Sequence, residues 1–271
     1  MLTFLRAAFS LDFPRRSQRL VTGFPWAAAR GIGKAPDVNL ESIGPEIWIA
    51  DGAPVPFLGF PYPTRMTVVR LPDSALWVCS PIRLTDALAA EVALLGDVRE
   101  LVSPNKIHHL FLAEWKRRWP QARMHAAPGL ARRRRDLAFD GELGDAPDPV
   151  WAGSIDQVIF HGSLAMEEVV FFHLASRTAI VTDLIQRFDP AAMGGWRGWL
   201  MRLDGLVGPD GSTPREWRAS FLDRRAARRA REQVLGWNPE RVVIAHGDWI
   251  RANGREAIAR ALRWMGRNGA S

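Results

Sequence analysis

Short apolar runs, rich in β-branched and aromatic residues and separated by turn residues, dominate the first part of the chain after residue 45, as in EIWIADG (46–52), MTVVRLP (66–72) and ALWVCSP (75–81). Runs of this kind are typical of neighbouring strands. The segment LTDALAAEVALLG (84–96) follows with helical spacing of its apolar residues, a threonine before them and a glycine after them. This pattern predicts a helix that is capped at both ends.

The remaining pattern repeats the same order of elements. Strands and helices are predicted to alternate: a strand over 98–103, a helix from His108, a strand over 122–128 and a helix from Pro128. Paired strands then return, and we predict one long helix over 213–237, a strand over 241–247 and a last helix from Asn253. Two stretches of strands followed by strand–helix alternation predict an α+β fold, in which two sheets pack face to face with helices outside, a four-layer αββα sandwich.

Residues 1–40 lack periodicity, and we expect an N-terminal extension there, followed by one domain over 41–271. The 271 residues are 47% hydrophobic, which suffices for a large core. The apolar runs near the amino terminus are short and interrupted by charge, so neither a signal peptide nor a membrane span is expected. The single cysteine, Cys79, excludes an internal disulfide and favours a reducing compartment, so we expect a cytoplasmic protein.

A formal net charge of +7 raises the question of nucleic acid as a partner. Most basic residues alternate with acids or alanines on predicted helices, as expected for solvated helix faces. The one dense run, Arg132–Arg135, suits a basic helix end that faces its own dipole. We therefore do not expect nucleic acid as the partner of this protein.

Four polar residues come at or just beyond the carboxyl ends of predicted strands: His108, His109, Asp183 and His246. Strand ends of one sheet edge converge, and imidazole and carboxylate are ligands of zinc, iron and manganese. The adjacent histidines can share an ion only if they lie on a loop or in a first helical turn. The alternative for each histidine is a hydrogen-bonded side chain at the rim of the core.

Three segments resemble the metallo-β-lactamase superfamily. SPNKIHHLFLAEW (103–115) resembles its HxHxDH signature, SRTAIVTD (176–183) resembles its strand that ends in a metal-bridging aspartate, and RVVIAHG (241–247) resembles its last ligand strand. The resemblance covers roughly residues 45–265 and is nearest to an uncharacterised bacterial branch. It implies an αββα fold with a metal centre that includes Asp183.

The signature is degenerate in this chain. Its first two histidines fall on Pro104 and Lys106, its aspartate falls on His108, and its final histidine is retained as His109. The family's next histidine ligand falls on Leu164. The resemblance therefore implies that one metal site is lost and that at most one divalent ion, zinc before iron or manganese, is held by His108, His109, Asp183 and His246.

Two main functions follow from this site. The first is a metal-dependent hydrolase of an ester, amide or phosphoester, with Asp183 and Lys106 as catalytic residues. The alternative is a catalytically silent binding protein with a Lys106–Asp183 ion pair in place of the metals. Nucleic-acid processing ranks third. The substrate is expected to be a small molecule of unknown identity, and the Pro-, Gly- and aromatic-rich loops at 53–63 and 189–200 predict either an apolar pocket wall or a homodimer contact.

Overall fold

Two β-sheets lie face to face at the centre of the domain. The computed structural model describes residues 39–57, 60–189 and 195–266. In these residues the first sheet has the strand order β1-β2-β3-β4-β5-β6-β7 and the second has the order β11-β10-β9-β8. The strands are β1 (Glu41–Gly44), β2 (Ile47–Phe57), β3 (Phe60–Arg70), β4 (Ala75–Cys79), β5 (Asp97–Ser103), β6 (Arg123–Ala126), β7 (Gly141–Glu142), β8 (Ile155–Phe160), β9 (Glu168–His173), β10 (Thr178–Val181) and β11 (Arg241–Ile244).

Helices cover the outer face of each sheet. In chain order the described helices are α1 (Asp86–Leu95), α2 (Leu112–Arg118), α3 (Leu130–Arg133), α4 (Gly195–Asp204), α5 (Arg215–Ser220), α6 (Arg224–Gly236) and α7 (Gly254–Ala261). Helices α1 and α2 pack on β5 of the first sheet, whereas α6 packs on β8 and α7 on β11 of the second. The predicted four-layer αββα sandwich is confirmed.

Alternate side chains of β4 belong to two separate apolar layers. Trp77 and Cys79 point between the sheets, where Trp77 meets Phe171 of the second sheet edge-on at a ring-centroid distance of 4.9 Å. Leu76 and Val78 point outward into the layer formed with α1 and α2. Because both faces of the sheet are covered, the whole strand is apolar and buried. The period of two along a strand thus builds both core layers at once.

The long helix predicted over 213–237 is two helices, α5 and α6. Asp223 interrupts it, because its side chain accepts the backbone N–H groups of Arg225 and Ala226 and caps a new helix. Leu222, an apolar residue of the predicted helix, is 71% exposed at this break. A local side-chain cap has overridden the apolar periodicity.

Some predicted features fall outside the described residues. The expected N-terminal extension, 1–40, lies outside them except for Asn39 and Leu40, as do parts of the two predicted pocket loops, at 58–59 and 190–194. The extension and its boundary stay predictions. Among the described helices, none combines the length and the apolar character that crossing a bilayer requires.

Candidate metal centre

Asp183 and His246 lie side by side because their strands are parallel neighbours in register. Val181 pairs with Ile244 at the ends of β10 and β11, and each side chain follows two residues later. Gly247 then turns the chain away with a φ of +100°, and a Cβ there would lie 1.8 Å from the carbonyl oxygen of Arg187. Only glycine fits this turn beside His246.

His108 reaches the same point from the first sheet. It follows β5 in a turn that ends before α2 begins at Leu112. Its Nε2 lies 3.0 Å from Oδ2 of Asp183 and 3.2 Å from Nε2 of His246, and His246 Nε2 lies 3.1 Å from Asp183 Oδ1. All three side chains are more than nine-tenths buried. The three donor groups therefore converge on one buried point from both sheets.

The donor set of His108, Asp183 and His246 fits a single divalent metal ion. One ligand atom from each residue lies within 4.8 Å of the others. Two ligands of a tetrahedral ion at 2.0–2.1 Å are about 3.3 Å apart, close to the 3.2 Å between the two Nε2 atoms. Two imidazoles and a carboxylate suit zinc and also iron or manganese.

The opposite ring nitrogens of both histidines are fixed by other residues. His246 Nδ1 donates to the carbonyl oxygen of Pro63 at 2.7 Å, which leaves Nε2 unprotonated in the neutral ring. His108 Nδ1 lies 2.6 Å from Oγ of Ser80, which has a φ of +54° that non-glycine residues rarely adopt. These contacts orient both rings in the way that outer partners orient metal-binding histidines.

Asp183 and His246 shift each other's pKa values. Burial alone would raise the pKa of Asp183, but the two imidazoles counteract it and hold this pKa well below its usual range. Burial alone would likewise lower the pKa of His246, and the charge of Asp183 raises it above its ordinary value. The carboxylate is thus anionic and attracts positive charge to the point where the donors meet.

His109 lies outside this three-residue cluster. Its Nδ1 accepts a hydrogen bond of 2.6 Å from the guanidinium of Arg134. Burial and the charge of Arg134 lower the pKa of His109 to about 3, so the ring is neutral. The structure therefore brings together three of the four predicted ligands, and Arg134, from the basic run that we expected to form a helix end facing its own dipole, contacts the fourth.

Lys106 does not pair with Asp183. No ion pair within 4 Å joins these two described residues, and the Lys106 side chain lies against Gly129 instead, where a Cβ would be 3.3 Å from Nζ. The neighbouring Asn105 takes the place expected for Lys106, since its Nδ2 donates to Asp183 Oδ2 at 2.7 Å. The ion pair of the silent alternative is absent.

Sequence reasoning missed Glu168, the first residue of β9. Its side chain is fully buried and accepts backbone N–H groups from the segment that carries Asp183. An acidic residue directly before the apolar run VVFFH (169–173) was the available signal, but Glu167 stands beside Glu168 and is chemically identical. Arg65 was also missed; it donates to the carbonyl oxygens of Ile244 and Gly247 and braces the turn around His246.

Solved structures with a similar architecture include metallo-β-lactamases and a flavodiiron core. The metallo-β-lactamase FIM-1 from Pseudomonas aeruginosa in its mono-zinc form is 13% identical, with a TM-score of 0.57 over 84% of this chain and 94% of that one. A metallo-β-lactamase from Hirschia baltica is also 13% identical, with a TM-score of 0.57 over 84% of this chain and 97% of that one. The metal-soaked Flv1 flavodiiron core from Synechocystis is 12% identical, with a TM-score of 0.59 over 88% of this chain and 63% of that one. The chain therefore has the metallo-β-lactamase fold.

The chain belongs to the family described as Domain of unknown function (DUF4336), which matches residues 46–192. The match includes His108 and Asp183 and ends before His246. Among curated proteins, UDP-glycosyltransferase 85A3 from Arabidopsis thaliana is 25% identical over 114 residues, 41% of this chain and 22% of that protein. This chain thus spans about a fifth of that relative's length, and the relative's name carries no argument for the present site.

Proposed function

We propose that this protein is a metal-dependent hydrolase with one metal ion, held by His108, Asp183 and His246. The observation that carries the proposal is the convergence of three buried donor atoms at spacings that suit one ion. A set of three protein ligands is typical of catalytic zinc, whereas structural zinc is usually closed by four. Leaving His109 out of the set therefore favours a catalytic site over a structural one.

The chain's own residues have distinct parts in this proposal. A divalent ion, when bound, supplies a Lewis acid and lowers the pKa of a water. Ser80 and the Pro63 carbonyl hold the two imidazoles in place. Lys106 sits half-buried two residues before His108 with its ammonium outside any described ion pair, and we assign it the stabilisation of negative charge that develops on an ester, amide or phosphoester substrate.

Metal content tests the first half of the proposal. Protein purified without chelator should contain at most one equivalent of zinc, iron or manganese, and Asp183→Ala should remove it with little unfolding. Asp145→Ala is the matched control, because Asp145 also contacts a histidine, His161, but at the surface. Two equivalents in the wild type, none at all, or one that survives Asp183→Ala would each contradict the proposed site.

Hydrolysis tests the second half. A panel of small ester, amide and phosphoester substrates should show turnover that is lost on chelation and in Asp183→Ala. Lys106→Met should retain the ion while lowering turnover by roughly 100- to 1,000-fold, the range for removing one stabilising donor. Metal binding without turnover of any substrate class would favour a binding protein.

A further inference from the structure

A buried carboxylate organises the segment that carries Asp183. Glu168 accepts the backbone N–H groups of three successive residues, Thr182 at 2.9 Å, Asp183 at 2.8 Å and Leu184 at 3.2 Å. The Glu168 side chain is wholly buried. Three consecutive donors directed at one carboxylate fix the backbone at the end of β10, and with it the direction in which Asp183 leaves the strand.

Asn105 connects this carboxylate to the metal cluster and to the other sheet. Its amide nitrogen lies 3.0 Å from Glu168 Oε2 and 2.7 Å from Asp183 Oδ2. Its amide oxygen accepts the backbone N–H groups of Ile107 at 2.9 Å and His108 at 3.1 Å. One side chain therefore ties the loop of His108 to the carboxylate that His108 faces.

Glu168 and Asp183 form a pair of buried carboxylates behind the imidazoles of the cluster. Both carboxylates accept from the amide nitrogen of Asn105. Burying two carboxylates side by side opposes folding unless hydrogen bonds and a cation compensate. Partners behind the ligands typically hold them in the geometry that a metal requires.

We propose that Glu168 and Asn105 are positioning residues, which hold Asp183 and His108 in the orientation that one divalent cation needs. The inference rests on the proposed function for the identity of the ligand. It assigns the two residues no contact with substrate. Their effect should appear in metal affinity and in the ordering of residues 182–184.

The test compares Glu168→Gln and Asn105→Ala with Glu100→Gln. Glu100 is a matched control because it is also a buried carboxylate hydrogen-bonded to a neighbouring side chain, but it lies on β5 and bonds His125. Zinc affinity, measured by competition with a chelator, should fall about 10- to 100-fold in the two test variants. The absorption spectrum of the cobalt-substituted protein should also change in the test variants and not in the control.

Amide hydrogen exchange in metal-free protein supplies the second readout. In Glu168→Gln the amide group of the new side chain faces N–H donors, so exchange at residues 182–184 should accelerate beyond that of the control at equal overall stability. Unchanged zinc affinity and cobalt spectrum in both test variants would overturn the positioning role. If the wild type bound no zinc, the proposed function would fail. Unchanged amide exchange at residues 182–184 in Glu168→Gln would separately overturn the positioning role. Should Glu168→Gln not fold, Asn105→Ala decides.

Discussion

Two buried clusters in the described part of the chain combine imidazole with carboxylate, and they differ in the number of side chains that take part. In the first sheet, His125 Nε2 contacts Glu100 Oε2 at 2.5 Å, both residues are buried, and Trp151 packs edge-on against the imidazole. One imidazole contacts one carboxylate here, and the pair joins the adjacent strands β5 and β6. In the candidate metal centre, two imidazoles direct Nε2 at one carboxylate.

The comparison shows that burial alone does not distinguish a ligand set from a structural pair. His125 and Glu100 satisfy one another, so the pair needs no third group. His108 and His246 instead place two ring nitrogens 3.2 Å apart beside Asp183, an arrangement that a shared cation completes. Convergence of three donor atoms is the feature that favours a metal site.

The largest expected effect concerns the structural pair. His125→Ala leaves Glu100 buried without its partner, and the free energy of unfolding should fall by about 3–5 kcal/mol. Metal content per folded protein should not change. Urea denaturation and elemental analysis measure the two quantities, and loss of the metal in this variant would erase the distinction between the clusters.

The next effect is the stability that a bound ion adds. At free zinc 100-fold above its dissociation constant, the free energy of unfolding should rise by about 2.7 kcal/mol. Asp183→Ala should lose this increment, whereas Glu100→Gln should keep it from a lower starting stability. Thermal unfolding with and without chelator measures the increment. An equal increment in Asp183→Ala would mean that zinc binds elsewhere.

A smaller effect per pH unit comes from His173, a buried histidine to which no carboxylate of the described residues is hydrogen-bonded. Burial lowers the pKa of His173 from 6.5 to about 4, so between these values the unfolded chain binds a proton that the native protein does not. The free energy of unfolding should therefore fall as pH drops from 6.5 to 4, by at most about 1.4 kcal/mol per pH unit for this residue. Denaturant titrations at several pH values should show that the free energy of unfolding depends less on pH in His173→Gln than in the wild type. An unchanged pH dependence would contradict this expectation.

The smallest effect on stability is expected at Lys106. It forms no described ion pair and is half-buried, so Lys106→Met should change the free energy of unfolding by no more than about 0.5 kcal/mol. A loss well above 1 kcal/mol in a urea titration would show that this lysine serves the fold, and the catalytic role assigned to it would lose its basis.

The layers of the fold could be predicted from sequence because they depend on periodicity. In β4 the alternation of side chains between two apolar layers produces the continuous run that marked it as a strand. The break between α5 and α6 could not be predicted this way, since it depends on whether Asp223 caps a helix or faces solvent within one. Apolar spacing does not carry that information.

The candidate site was only partly accessible to sequence reasoning. Asp183 and His246 follow directly from the rule that parallel strand ends converge, whereas His108 and His109 lie in a turn where adjacent side chains diverge. His108 joins the cluster, whereas His109 is hydrogen-bonded to Arg134, 25 residues away in sequence. The role of each as a metal ligand stays a prediction, to be tested by the measurements above.

The split origin of the cluster also bears on how the chain folds. His108 and His246 are 138 residues apart in sequence and come from different sheets, so their approach requires closure of a very long loop, which is slow relative to local structure formation. The cluster can form only after the two sheets dock. During refolding, uptake of cobalt with its change in colour should therefore lag behind the recovery of β-structure and report the docking step, late on the pathway.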